Sequence, residues 1–134
     1  MRPLEALAAH WDVSSYMLSW VYAFVLTQCC EVPIYWQALR DRKRSERFVL
    51  GLSASALTHP FVWFLFPEVI GALTHARPDL YYPVYVVVAE TFAYGVEALY
   101  LRALGVKRGW LWSIAANSTS LGMGYVSIWL LHMP

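Results

Sequence analysis

Apolar residues fill four long blocks of this chain, at about residues 13–39, 48–70, 83–103 and 110–131, with short polar interruptions between them. At about 1.5 Å per residue, a helix made from any block covers the ~30 Å hydrocarbon core of a bilayer. The last block, from Trp110 to Leu131, has no charged residue at all. This pattern predicts an all-α fold, a four-helix transmembrane bundle of up-down topology, with residues 1–134 forming one integral membrane domain.

Composition points the same way. Hydrophobic residues make up 59% of the chain and charged ones 14%, against roughly 25% charged in an ordinary soluble domain. No room is left for a separate soluble domain. The net charge of +1 matters less than its distribution. Eight of the ten Lys and Arg residues lie in two loops, Arg40–Arg47 and Arg102–Arg108, leaving only Arg2 and Arg77 on the other side. The positive-inside bias therefore places both termini away from the cytoplasm. Aromatic residues mark the same boundaries: Trp11, Tyr16 and Trp20 outside helix 1, Tyr81, Tyr82 and Tyr85 outside helix 3, and Trp110 and Trp112 inside helix 4. Residues 1–12 lack the basic-then-apolar order of a cleaved signal and read as a short interfacial helix. Cys29 and Cys30 are adjacent on one helix, pointing about 100° apart, so they are expected to be buried small apolar residues rather than a disulfide or a thiolate site.

Against this apolar background stand Glu31, His59, Glu90, Glu97 and Asn117. An ionisable group at bilayer depth costs about 2.5–3.5 kcal/mol, so several of them call for a common explanation. Counted from the basic loops, Glu31, His59, Glu90 and Asn117 lie about nine to twelve residues deep, within roughly one helical turn of each other. One layer with a polar group from each helix is predicted. Glu97 is expected nearer the cytoplasm, on an access route. Glu90 and Glu97 are seven residues apart and share a face with Tyr94 between them; Thr27, Glu31 and Tyr35 share another, as do Ser55 and His59. On helix 4, Ser113, Asn117, Ser120, Gly124 and Ser127 form a narrow small-polar stripe of the kind that seams membrane helices.

Pro33 follows Glu31 by two residues and Pro60 follows His59 directly. Each removes a backbone hydrogen bond, and a carbonyl freed inside a membrane needs protein or water to satisfy it. Two kinks beside ionisable residues predict an interior cavity. Thr58 is a further supporting residue.

No Lys or Arg lies at the depth of the three carboxyls. Most of them must then be protonated, or a cation must be bound. Glu31, His59 and Glu90 would suit a divalent ion such as Zn²⁺, Mn²⁺ or Fe²⁺ better than soft Cu⁺. The alternative is structural: neutral Glu side chains as interhelical glue.

Several chemistries find little support. There is no intramembrane Lys for retinal, no second deep His for haem and no HExxH. A Ser120–His59 pair lacks the first glycine of G-x-S-x-G, and Glu97 to Arg102 matches only half of the Glu-Glu-x-x-x-Arg pattern of CAAX-type membrane proteases. Nothing beyond the basic loop speaks for nucleic acid. Ala54–Pro60 and Ala116–Gly122 offer a faint internal match, compatible with a duplicated hairpin.

Glu31-Val32-Pro33, Thr58-His59-Pro60, Glu90 with Glu97, and Asn117-Ser118-Thr119-Ser120 resemble the pattern of a family of small four-helix bacterial membrane proteins without an assigned reaction. The match spans about residues 28–126, with Ser55 standing where the family pattern has Asn. The resemblance implies the bacterial inner membrane. The leading expectation is proton- or cation-coupled transport or ion binding, in a homodimer. The alternatives are an accessory subunit of a larger membrane complex and a small intramembrane hydrolase using His59 and a Glu.

Overall fold

The computed structural model describes residues 13–131. The interfacial helix expected over residues 1–12 lies outside that range. Four long helices make up the fold: α1 (Val13–Ala38), α2 (Arg44–Leu73), α3 (Tyr81–Ala103) and α4 (Gly109–Leu131). A single 3-10 turn, Pro78–Leu80, leads into α3, and no strand occurs among the described residues. Each helix packs on its neighbour in sequence, and α4 closes the ring against α1.

Three of the four are long and apolar enough to cross a membrane: α1, α2 and α3 with its leading turn. In α4 the Ser, Asn and Gly residues that build its seam, together with Thr and Trp elsewhere on the helix, lower its hydropathy, although no charge interrupts it. Its inner face is the price of its polarity: Ser113 and Asn117 are buried, while Trp129 is 77% exposed. The pattern is inverted throughout. Large apolar side chains such as Leu18, Leu57, Val87 and Leu99 face outward, whereas Glu31, Ser55, Thr58, His59, Glu97, Ser113 and Asn117 are buried. Water would not favour that arrangement; a hydrocarbon surround does.

Helix α2 starts at Arg44, four residues earlier than the expected 48, because the basic segment packs instead of looping out. The Arg47 side chain donates from Nε to the Arg42 carbonyl at 2.9 Å and from Nη2 to the Arg40 carbonyl, and its guanidinium lies 5.9 Å from the Trp36 ring. Arg42 reaches across to donate to the Leu104 carbonyl at 2.8 Å, tying the two basic loops together. Helix α3 ends in a Schellman turn: Gly105, at φ +81°, donates to the Arg102 carbonyl at 2.9 Å and Val106 to that of Leu101 at 3.0 Å. Glycine is needed there for its left-handed backbone.

Pro33 lies inside α1, and the helix continues through it to Ala38. Pro60 does perturb α2. The five residues after it, Phe61–Leu65, form a π segment before α-helix resumes at Phe66. Tyr16 donates to the Trp63 carbonyl at 2.5 Å and Tyr85 to the Val62 carbonyl at 3.2 Å, so neighbouring helices serve this disturbed stretch.

Toward the basic loops, one residue from each helix (Tyr35, Ala54, Leu101 and Ala116) forms a fully buried plug. Small residues let the backbones close in. A Cβ on Gly109 would lie only 3.0 Å from the Ala98 carbonyl, and one on Gly51 would lie 3.4 Å from the Tyr35 Cβ. Cys29 is exposed and Cys30 only partly covered, both as free thiols. The expectation of burial fails because α1 turns Glu31 and Tyr35 inward, which leaves Cys29 facing outward.

Candidate functional site

Two carboxyl groups, each 1% exposed, form the polar centre. Glu31 comes from α1. Ser120 donates to its Oε1 at 2.5 Å and Ser55 donates to its Oε2. Glu97 comes from α3. Its Oε1 receives Thr58 at 2.7 Å, and its Oε2 receives Asn117 Nδ2 at 2.7 Å together with the Tyr35 hydroxyl. All four helices therefore contribute, and every donor is neutral. The described residues hold one ion pair, Arg77–Asp79, in the α2–α3 loop. There Arg77 stabilises the Asp79 carboxylate and holds it below the usual range.

The predicted layer forms with a different centre. Glu97 was expected toward the cytoplasm and instead sits in the middle, because Tyr35 and Thr58 reach it from two other helices. Depth counted along one helix takes no account of how far neighbouring helices are displaced. Asn117 joins this layer through its bond to Glu97. Ser113, which secures the seam, donates to the Tyr94 carbonyl at 2.9 Å and has its own carbonyl bonded by Asn117 at 3.0 Å. The Tyr94 hydroxyl turns outward to Ser118 at 3.1 Å. Tyr35 was missed as a site residue; the sequence signal was its position four residues from Glu31, on the same helical face.

His59 and Glu90 stand apart from these bonds but border the same space. A cavity of about 270 Å³ is lined by Glu31, Glu90, Glu97, Asn117, Thr58 and His59, and its walls include Trp63, Tyr82, Tyr85 and Tyr125. Its lining on α3 recurs on one face from Tyr82 to Glu97, a run of roughly 22 Å at 1.5 Å per residue. The Tyr82 hydroxyl donates to that of Tyr125 at 3.3 Å near the end remote from the basic loops. At the other end stands the plug around Tyr35. Between these ends the space forms a cleft along α3.

His59 is 8% exposed and ringed by Phe24, Trp63 and Trp20, at centroid distances of 5.1, 6.0 and 6.3 Å. Its Nε2 is buried without a hydrogen-bond partner among the described residues. Pro60 does not create the cleft by itself, but the π segment carries Val62 and Trp63, both of which line it.

One expectation is corrected. Glu31, His59 and Glu90 do not assemble as metal ligands: among the described residues no group of three His, Cys, Asp or Glu is placed to hold an ion. Serine donors occupy the Glu31 oxygens, and aromatic rings surround the His. A Ser120–His59 couple is also absent, since the Ser120 hydroxyl faces Glu31 and the Asn117 carbonyl at 3.0 Å.

Each carboxyl abuts a hydroxyl with a second acceptor. Ser120 faces Glu31 and the Asn117 carbonyl; Thr58 faces Glu97 and, at 3.1 Å, the Ser55 carbonyl. A hydroxyl has one proton to donate and can also accept. When the Glu is ionised, the hydroxyl donates to it. When the Glu is protonated, it donates to the hydroxyl, which turns to the backbone carbonyl. Both protonation states find a bonded arrangement without movement of a helix.

No family model, curated protein or solved structure matches the chain.

Proposed function

We propose that this chain is a multi-pass protein of the bacterial inner membrane, an up-down bundle with both termini on the non-cytoplasmic side, that binds and releases protons at Glu31 and Glu97 in proton-coupled transport. The observation that carries this reading is the double-acceptor setting of Ser120 and Thr58, which accommodates either carboxyl with or without its proton. Interhelical glue has no need of two interchangeable states. The absence of any Lys or Arg lining the cavity adds weight, because a carboxyl there lacks a fixed counter-charge.

In this reading one-sided access reaches the carboxyls along the cleft from the side remote from the basic loops, and the buried cluster of Tyr35, Ala54, Leu101 and Ala116 closes the other end. A full path requires the plug to part, or a second copy of the chain to complete it; assembly as a homodimer is part of this proposal.

Reconstitution into liposomes containing a pH-sensitive dye tests it. An imposed pH gradient should collapse faster with the wild type than in empty vesicles. Glu31→Gln and Glu97→Gln should each abolish the difference while inserting at normal yield. Equal flux through the wild type and both variants sinks the proposal.

A further inference from the structure

The cleft carries more chemistry than proton binding uses. Its lining among the described residues offers the carboxyls of Glu31, Glu90 and Glu97 and no cationic side chain. Above them stand the rings of Tyr82, Tyr85, Tyr125 and Trp63. An anion would meet only negative or neutral groups. A bare divalent ion would lack a set of three ligands. A neutral apolar molecule would make no use of the carboxyls. One ligand class matches all of these features. A small organic ammonium brings N–H donors and positive charge for a carboxylate, and a carbon body for the aromatic walls, which attract cations in their own right.

We propose that the cleft binds a small organic ammonium ion, with its charged end at Glu90 and its apolar body between the tyrosines. The proposal rests on the proton-binding reading of the same site: the ammonium enters as a carboxyl gives up its proton, one proton released for each cation bound, so charge is conserved in the cleft. The cavity, about 270 Å³, lies at the lower edge of the range for ligand pockets and suits an ion with few heavy atoms. Glu90 is the group to alter first. It is only half-buried and makes none of the bonds that hold Glu31 and Glu97, so its replacement leaves the core intact.

The full chain in phosphatidylcholine nanodiscs, titrated with radiolabelled benzylammonium against empty nanodiscs, tests this inference. Saturable binding is expected, at least tenfold weaker in Glu90→Gln, with proton release in weakly buffered solution. Benzyl alcohol, the neutral analogue of equal size, and Mn²⁺ should each fail to compete. Competition by benzyl alcohol equal to that of unlabelled benzylammonium overturns the proposal, as does unchanged affinity in Glu90→Gln. Dye-reported proton flux measured without amine separates the two readings: flux with no benzylammonium binding removes this inference alone, and loss of both removes both.

Discussion

Tyr35 on α1 donates its hydroxyl to Glu97 on α3, sixty-two residues away, and so joins the floor of the cleft to the plug beneath it. The Tyr35 ring belongs to the fully buried cluster with Ala54, Leu101 and Ala116, while its oxygen belongs to the carboxyl network. One side chain thereby links the packing of the closed end to the state of the Glu97 carboxyl.

Removing that hydroxyl should loosen the bundle modestly. Tyr35→Phe keeps the ring and leaves Glu97 the Thr58 and Asn117 donors, so the cost should be about 0.6–1.7 kcal/mol, the range for hydrogen bonds between membrane helices. Glu97→Gln should cost less than Glu97→Leu. The amide can turn its NH₂ toward Thr58, which passes its proton to the Ser55 carbonyl, and can keep its oxygen for Tyr35 and Asn117. With Leu, Thr58 and Asn117 still have backbone carbonyls to bond but the Tyr35 O–H loses its acceptor, a penalty of roughly 1–3 kcal/mol. Equilibrium unfolding in mixed micelles gives the order, and a Gln variant less stable than the Leu variant would contradict it.

The four blocks of apolar sequence placed the helices closely, since a run long enough to cross a bilayer has few other uses. The seam of Ser113, Asn117, Ser120, Gly124 and Ser127 was legible for a similar reason: small polar residues at 4-3 spacing have one face. What the sequence could not carry was relative displacement between helices. Glu97 was assigned to a lower level than Glu31 by counting from Arg102, yet Thr58 contacts it while Ser55, one turn before Thr58, contacts Glu31. The orphaned His59 nitrogen was equally hidden, because its surround of Trp20, Phe24 and Trp63 comes from two helices. Pro60 announced a disturbance, though not that it would take the form of a π segment served by Tyr16 and Tyr85.

Gly109 and Gly51 should respond oppositely to alanine. A Cβ on Gly109 would meet the Ala98 oxygen at 3.0 Å, the Leu101 Cβ at 3.1 Å and the Arg102 nitrogen at 3.2 Å, and backbone of α3 cannot yield as a flexible side chain does. Gly109→Ala should therefore force α3 and α4 apart and cost about 1–3 kcal/mol. At Gly51 the nearest atom is the Tyr35 Cβ at 3.4 Å, an ordinary contact. The gain in helix propensity, about 0.8–1 kcal/mol, then makes Gly51→Ala neutral or stabilising. Thermal melts in detergent give the two signs.

Pro60 and Tyr16 should be energetically coupled. If Pro60 sustains the π segment, Pro60→Ala lets α2 recover regular bonding, and the Trp63 carbonyl no longer depends on the Tyr16 hydroxyl. Tyr16→Phe should then cost less in the Pro60→Ala background than in the wild type. The double-mutant cycle should show a coupling of at least about 0.5 kcal/mol. Strict additivity would mean that the π segment is held by something other than the proline.

The proposed one-sided access makes a prediction about labelling. Cys29 and Cys30 are replaced by Ala to leave a background without thiols. Single cysteines are then introduced at Val86 and Leu121, which line the cleft, at Ala116, in the plug, and at Ser45, beside the basic loops. A membrane-impermeant thiol reagent added outside intact cells should modify Val86→Cys and Leu121→Cys if the proposed access runs from the end marked by Tyr82 and Tyr125. Ser45→Cys should react only after the membrane is opened, because the basic loops are assigned to the cytoplasm. Ala116→Cys should resist from either side while the plug is closed, as Ala116 is 0% exposed. Adding benzylammonium should slow labelling at Val86→Cys without changing that at Ser45→Cys. Labelling of Ser45→Cys in intact cells would reverse the orientation. Rapid reaction of Ala116→Cys from the cytoplasmic side would mean that the plug stands open there, and the half-closed path would have to be abandoned.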